Sequence, residues 1–140
     1  MNLKTSEARV HDIKVLKEHI KDLKVLFVDD EEDVRNGTGV FLKKFFDNVV
    51  VCANGKEGLA TFSKTKDFDV VITDIVMPIM DGLEMSKEIK KINPAVFIVI
   101  LTASRGVKYL DKNLSNITLQ KPLSFDDMLV VMSQLEIKDG

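Results

Sequence analysis

The sequence predicts an α/β domain built on a parallel sheet. Short runs rich in β-branched and aromatic residues alternate with segments whose apolar residues recur at helical spacing. The first four runs are almost continuously apolar, which is typical of strands covered by helices on both faces. Strands that alternate with helices pair in parallel through right-handed crossovers, so residues 23–137 are predicted to form one domain of five strand–helix units.

The strands and helices can be assigned in order along the chain. The predicted strands cover residues 24–28, 48–53, 68–73, 95–101 and 117–119. A helix is predicted over residues 31–46, with Val34, Val40, Phe41 and Phe45 on its apolar side. Gly37 and Gly39 each weaken that helix by about 1 kcal/mol relative to alanine, so tertiary packing has to compensate.

Three further helices have a residue at their start that can accept a hydrogen bond from the first turn. Asn54, Asp81 and Ser124 precede segments with helical apolar spacing, and Glu57 stands three residues after Asn54, as in a capping box. The weakest prediction is a short helix over residues 104–113, which contain few apolar side chains.

Residues 1–22 are predicted to form an N-terminal amphipathic helical extension that Ser6 can cap. The apolar positions follow spacings of 3, 3, 4 and 3 and are Val10, Ile13, Leu16, Ile20 and Leu23. Two interpretations remain open. The helix either packs on its own domain, since short isolated helices are marginal in water, or it serves as a dimerising or partner-binding helix.

Composition excludes several classes of protein. The 140 residues carry 20 basic and 22 acidic side chains, a net charge of −2, and 45% of the residues are hydrophobic. This balance argues against a disordered chain and against a polycationic nucleic-acid binder. The longest apolar run, residues 95–101, is far shorter than the roughly 20 residues of a membrane span. With no signal-peptide pattern and a single cysteine, Cys52, we expect a soluble cytoplasmic protein.

Polar side chains follow four of the five predicted strands. Ligand sites of open parallel sheets form at the carboxyl ends of the strands, so these side chains are expected to converge. They are Asp29 and Asp30 after the first strand, Asp74 after the third, Thr102 after the fourth and Lys121 after the fifth.

The predicted cluster of strand-end carboxylates favours a bound cation and nucleophilic chemistry. Neighbouring carboxylates repel one another, and a divalent cation with oxygen ligands, Mg²⁺ in particular, offsets that repulsion together with Lys121. A carboxylate in such a setting can act as a nucleophile and form an aspartyl phosphate. Thr102 can then hydrogen-bond a phosphoryl oxygen.

These segments together resemble the receiver domain of bacterial response regulators over about residues 23–137. The resemblance lies in VLFVDDEEDVR, in DVVITDIVMPIMDG, in LTAS around Thr102 and in the pair Lys121-Pro122. It implies a flavodoxin-like three-layer sandwich with a five-stranded sheet of order 2-1-3-4-5. It also implies a cis peptide bond before Pro122.

The resemblance further implies how the domain works. Asp74 accepts a phosphoryl group from a histidine kinase or phosphotransfer protein, and Thr102 and Lys121 contact that group. Asp29, Asp30, Asp74 and the carbonyl of Val76 hold Mg²⁺. The domain then signals to a downstream protein or effector domain as a monomer or weak homodimer, without direct contact with nucleic acid or membrane. It is not an enzyme in the usual sense, because it catalyses only its own phosphorylation and dephosphorylation.

Two positions depart from the usual receiver pattern. Receivers often carry a tyrosine or phenylalanine three residues before the lysine, where this chain has Thr118. The threonine-to-aromatic coupling of the family therefore lacks its aromatic residue. The interval between Thr102 and Lys121 is also a few residues short, so we expect a shortened or irregular fourth helix.

Two other functions compete with this interpretation. A phosphohydrolase of the haloacid dehalogenase type would need Asp-x-Asp, but Ile75 and Val76 follow Asp74. An interaction module of receiver fold that is not phosphorylated would instead signal through its N-terminal helix.

Several conspicuous residues have a structural explanation. The acidic residues Glu31, Glu32 and Asp33 suit a helix N-terminus, and Cys52, Met77 and Met80 suit packing. His11 and His19 are expected to be exposed helix residues.

Overall fold

A computed structural model describes residues 13–103 and 114–139, with the backbone alone for 136–139. Its five strands are β1 (Lys24–Val28), β2 (Asn48–Cys52), β3 (Val70–Asp74), β4 (Phe97–Thr102) and β5 (Ile117–Gln120). They form one sheet in the order β2-β1-β3-β4-β5, and all four neighbouring pairs are parallel. The predicted fold class and strand order are confirmed.

Helices cover both faces of this sheet. Side chains alternate along a strand, so Val25 and Phe27 of β1 face one buried cluster while Leu26 and Val28 face the other. The helices are α1 (residues 13–20), α2 (Glu32–Leu42), α3 (Gly55–Thr65), α4 (Gly82–Ile92) and α5 (Phe125–Asp139). Helices α2 and α5 contribute to the first cluster, and α3 and α4 to the second.

Three predicted helix caps, Asn54, Asp81 and Ser124, are confirmed. The side chains of Asn54 and Asp81 each accept a hydrogen bond from the backbone N–H three residues on, at 2.9 Å and 2.8 Å. Ser124 Oγ accepts a hydrogen bond from the backbone N–H of Asp127 at 3.1 Å, and the Asp127 carboxylate accepts one from the backbone N–H of Ser124 at 2.9 Å. This reciprocal pair is a capping box, and it fixes where α5 begins.

Two predictions about burial are wrong. Strand β2 was expected to be covered on both faces, but Val49, Val50 and Val51 are only half-buried. The reason is that β2 pairs only with β1 and forms an edge of the sheet. Val40, expected on the apolar side of the first helix after β1, is 63% exposed.

Element boundaries also differ from prediction. Helix α2 ends at Leu42 rather than at residue 46, because the chain turns there and the backbone N–H groups of Phe45 and Phe46 both donate to the Leu42 carbonyl, at 2.9 Å and 3.0 Å. That turn buries both rings. Strands β3 and β4 begin two residues later than predicted and extend to Asp74 and Thr102. Two polar site residues therefore belong to the sheet itself.

The N-terminal helix is present and packs on the domain. Ile20 is fully buried in the same cluster as Phe45 and Leu135, and Leu16 and Leu23 pack against that cluster. His19 is exposed, as predicted. No helix in residues 13–103 or 114–139 has the length and apolar character of a membrane span. The predictions for Ser6, Val10, His11 and residues 104–113 lie outside the described residues.

Candidate functional site

The predicted polar residues meet at the carboxyl edge of the sheet. Asp74 and Thr102 are the last residues of β3 and β4, while Asp29 and Lys121 directly follow β1 and β5. The ladder continues past the strand ends, because Asp29 N–H donates to the Cys52 carbonyl at 3.2 Å and Lys121 N–H to the Thr102 carbonyl at 2.8 Å. Backbone hydrogen bonds therefore hold these positions side by side.

The Lys121 ammonium lies between two buried carboxylates. Its Nζ is 2.8 Å from Asp29 Oδ2 and donates a hydrogen bond to Asp74 Oδ2 at 3.1 Å. Burial works against the charged form and is the largest single influence on the lysine, but Asp29 and Asp74 together outweigh it. The pKa of Lys121 is therefore raised above its ordinary value.

Each buried carboxylate is oriented by the backbone. Asp29 Oδ1 accepts from Glu31 N–H at 2.9 Å, and Asp74 Oδ1 accepts from Ile75 N–H at 2.8 Å. Asp29 Oδ2 is fully buried, and the ammonium of Lys121 lies 2.8 Å from it. Both carboxylates are therefore held between the backbone and the lysine.

Three carboxylates at this edge can share a cation. Asp29, Asp30 and Asp74 each offer an oxygen, and these oxygens lie within 4.8 Å of one another. Asp30 is exposed, whereas Asp29 is fully buried and Asp74 is 8% exposed. Three negative charges face one ammonium, and clustered hard oxygen ligands of this kind suit Mg²⁺. The residues therefore fit the expected metal.

Comparison with known proteins identifies the family. A family model described as the response regulator receiver domain matches residues 25–132. The chain belongs to the response regulator receiver domain family. This receiver domain is thus a signalling domain of two-component systems.

A relative identified by sequence agrees with that assignment. A response regulator receiver protein from Anaeromyxobacter sp. is 37% identical over 78 residues, which are 56% of this chain and 32% of that protein. The chain thus spans about a third of the length of that relative.

Two solved structures resemble this chain over about four fifths of its length. A response regulator receiver domain protein from Clostridium thermocellum has a TM-score of 0.70 and 31% identity, covering 80% of this chain and 92% of that one. The response regulator TrrA from Thermotoga maritima, solved in complex with Mg²⁺ and BeF, has a TM-score of 0.72 and 30% identity, covering 81% and 98%.

The loop after Asp74 is tightly constrained in this receiver domain. A Cβ on Gly82 would overlap the carbonyl oxygen of Asp74, so only glycine allows the close approach. Gly82 N–H donates to the Ile75 carbonyl at 2.8 Å, and the Thr73 hydroxyl donates to the Asp74 carbonyl at 2.9 Å. The backbone that carries Asp74 is therefore fixed from both sides.

A cavity of about 690 Å³ opens above the carboxylates. Asp30, Asp74, Thr102 and Lys121 line it, and Val76 stands at its rim with a side chain that is 78% exposed. The cavity is large enough for a small phosphorylated group, and four of the residues predicted from the strand ends line it.

The structure also places the other residues that the sequence singled out. The Lys121–Pro122 bond is cis, as expected. Cys52 and Met77 are buried, and burial raises the pKa of the Cys52 thiol. Glu32 and Asp33 lie in the first turn of α2. Thr118 is exposed on β5.

Sequence reasoning missed two contributors to the site. Arg35 Nη1 donates to the Asp29 carbonyl at 2.9 Å, which ties α2 to the end of β1. Gly55, at the start of α3, leaves room for the Met80 carbonyl, which a Cβ would overlap. Arg35 stands two residues after the end of the acidic run, and this proximity is the sequence signal for its role.

Proposed function

We propose that this receiver domain accepts a phosphoryl group onto Asp74 from a histidine kinase or phosphotransfer protein, with Mg²⁺ as cofactor. It then signals to a downstream protein or effector domain in the cytoplasm. The observation that carries the proposal is the ammonium of Lys121 between Asp29 and Asp74, within a group of three carboxylates. The structure of TrrA with Mg²⁺ and BeF supports the same chemistry in a relative.

In the transfer step, Asp74 is the nucleophile. A carboxylate oxygen of Asp74 attacks the phosphorus, the bond from phosphorus to the donor histidine nitrogen breaks, and its electron pair leaves with the histidine. The backbone N–H of Ile75 orients Asp74. Lys121 remains beside the new aspartyl phosphate and pairs with its oxygens.

Thr102 and the remaining carboxylates complete the site. Thr102 ends the strand next to β3, so its hydroxyl can hydrogen-bond a phosphoryl oxygen that is present only after transfer. Asp29, Asp30, Asp74 and the carbonyl oxygen of Val76 would hold Mg²⁺. When bound, the ion neutralises charge on the transferring oxygens.

The test uses a small phosphodonor. The purified chain is incubated with acetyl phosphate, with Mg²⁺ or with a chelator, and its intact mass is measured. We expect the mass of one added phosphoryl group in the presence of Mg²⁺ and none in Asp74→Ala. Asp33→Ala, which removes an exposed carboxylate of the same acidic run, should be labelled like the parent.

Two results would contradict the proposal. One is an adduct that forms equally on Asp74→Ala, which would place the phosphoryl group elsewhere. The other is a parent chain that is never labelled, which would favour an interaction module that does not use phosphorylation.

A further inference from the structure

Strand β2 is an edge of the sheet that lacks the features by which proteins ordinarily protect such edges. A bulge, a proline or a charged side chain usually keeps the free N–H and C=O groups of an edge strand from pairing with another strand. Residues Asn48–Cys52 contain none of these, and their register with β1 is unbroken. The opposite edge strand, β5, exposes the polar side chains of Thr118 and Gln120, whereas β2 carries three half-buried valines. Among residues 13–103 and 114–139, no strand pairs with the outer side of β2.

Helix α2, which packs beside this edge, exposes a valine and a glycine at its middle. Val40 is 63% exposed. Gly37, one helical turn earlier, weakens the helix by about 1 kcal/mol relative to alanine. A Cβ at Gly37 would nevertheless have no atom of the described domain within 4 Å. Packing within the domain therefore explains neither the exposed valine nor the glycine.

The middle of α2 lies over the middle of β2. A Cβ on Gly39 would be 3.6 Å from Cγ2 of Val51, so the exposed positions of the helix and the open edge of the strand adjoin each other. Together they form one surface, which we call the α2–β2 surface. It comprises Asp33, Gly37, Val40, Lys44 and residues 48–52.

The two ends of this surface carry opposite charges. Asp33 stands four residues before Gly37, and Lys44 stands four residues after Val40. Both charged side chains are exposed, and neither forms an ion pair with another described residue. An antiparallel copy of α2 that sets Val40 against Gly37 also sets Lys44 against Asp33, because both pairs are symmetric about the same point of the helix.

We propose that the α2–β2 surface joins two copies of this chain about a two-fold axis. A two-fold interface uses the same patch of both chains, so each position has to complement its symmetric counterpart. Here the gap at glycine complements valine, and aspartate complements lysine. The two β2 strands then run antiparallel across the axis, with Val49 opposite the partner's Val51, and the two sheets join into one. An unrelated partner would not require this symmetry.

The association is expected to be weak. One helix face and one strand of five residues make a small interface, of the kind that is typical of transient complexes. We expect a dissociation constant of about 100 µM, so the chain is largely dimeric at about 1 mM. At the low micromolar concentrations of urea denaturation it is a monomer.

The test is sedimentation velocity of the purified chain between about 10 µM and about 1 mM, where the parent should change from monomer to dimer. Gly37→Gln fills the space that the partner's Val40 requires and should raise the dissociation constant at least about tenfold. The same variant should raise the urea midpoint, because glutamine is a better helix former than glycine. Loss of the dimer in this variant therefore cannot result from unfolding.

Charge reversal tests the two-fold symmetry. Asp33→Lys and Lys44→Asp should each be monomeric alone, because like charges then face each other at both ends of the interface. An equimolar mixture of the two variants should form dimers, since every facing pair is again of opposite charge. Lys91→Asp, which reverses an exposed charge on α4 rather than on α2, is the matched control and should dimerise like the parent.

Each outcome bears on the inference. A parent that remains monomeric at the highest concentration overturns it. A dimer that persists in Gly37→Gln, or a mixture of the two charge variants that does not associate, overturns it as well. Dimers of the parent and of the mixture, with monomers of each single charge variant, support the proposed surface.

Discussion

The hydroxyl of Ser86 lies on the buried side of α4, where the described residues offer it no hydrogen-bond partner. A buried polar group without a partner lowers the free energy of unfolding by about 1–3 kcal/mol, because it loses its hydrogen bonds to water and forms none in the protein. We therefore expect Ser86→Ala to increase the free energy of unfolding by about 1 kcal/mol. The measurement is urea denaturation of both proteins.

Ser63→Ala is the matched control for that prediction. Ser63 is also helical, but its hydroxyl donates to the Leu59 carbonyl at 2.8 Å. Removing this satisfied hydroxyl should leave the unfolding free energy nearly unchanged. A Ser86→Ala variant that is less stable than the parent would show that the hydroxyl has a partner after all.

At the scale of residues, the sequence predicted which side chains form the site but did not predict their packing contacts. The polar residues after each strand predicted that Asp29, Asp74 and Lys121 would meet, since parallel strands end at one edge. No local pattern shows that Ile79 must take a positive φ or that the Ser86 hydroxyl is isolated. Both depend on which atoms pack against them from other elements.

At the scale of elements, a lysine ties α4 to the loop that leads into β4. Lys90 Nζ donates to the Val96 carbonyl at 2.6 Å and to the Pro94 carbonyl at 3.2 Å, just beyond the C-terminus of α4. A cation at this end also interacts favourably with the helix dipole. We expect Lys90→Met, which keeps the aliphatic stem, to lose about 1 kcal/mol of unfolding free energy.

The adjacent lysine provides the comparison. Lys91 is 75% exposed, and its described ion pair is with Glu88 at 3.0 Å. Exposed pairs of this kind contribute about 0–1 kcal/mol, so Lys91→Met should change the urea midpoint little. Equal losses in the two variants would mean that the carbonyl contacts of Lys90 do not stabilise the domain.

Element type was predictable from sequence, while element environment was not. The run of valines in β2 has the composition of a strand, but composition does not say whether a strand lies at the centre or at the edge of the sheet. The exposure of Val40 has the same origin. A helical pattern identifies an apolar face, yet the neighbouring elements decide how wide a stripe they cover.

At the scale of the whole molecule, α1 contacts the turn that follows α2. Lys17 Nζ lies 5.6 Å from the centre of the Phe45 ring, and Phe45 in turn packs on Phe125, with 6.0 Å between the ring centres. Asp47 N–H donates to the Lys21 carbonyl at 2.8 Å. The boundary predicted between residues 22 and 23 follows the sequence pattern, but contacts of the N-terminal segment with Phe45 and Asp47 cross that boundary. An amphipathic pattern indicates that α1 has an apolar face and does not indicate which surface covers that face.

This packing predicts that α1 is part of the folding unit. Ile20 is fully buried beside Phe45 and Leu135, so Ile20→Ala leaves a cavity in the core and should cost about 2–5 kcal/mol of unfolding free energy. His19→Ala, one residue earlier and exposed, should have little effect. Urea denaturation at several protein concentrations is the measurement, and the midpoint should not depend on concentration, because Ile20 packs within its own chain. A midpoint that rises with concentration, together with a stable Ile20→Ala variant, would instead assign α1 to contacts between two chains.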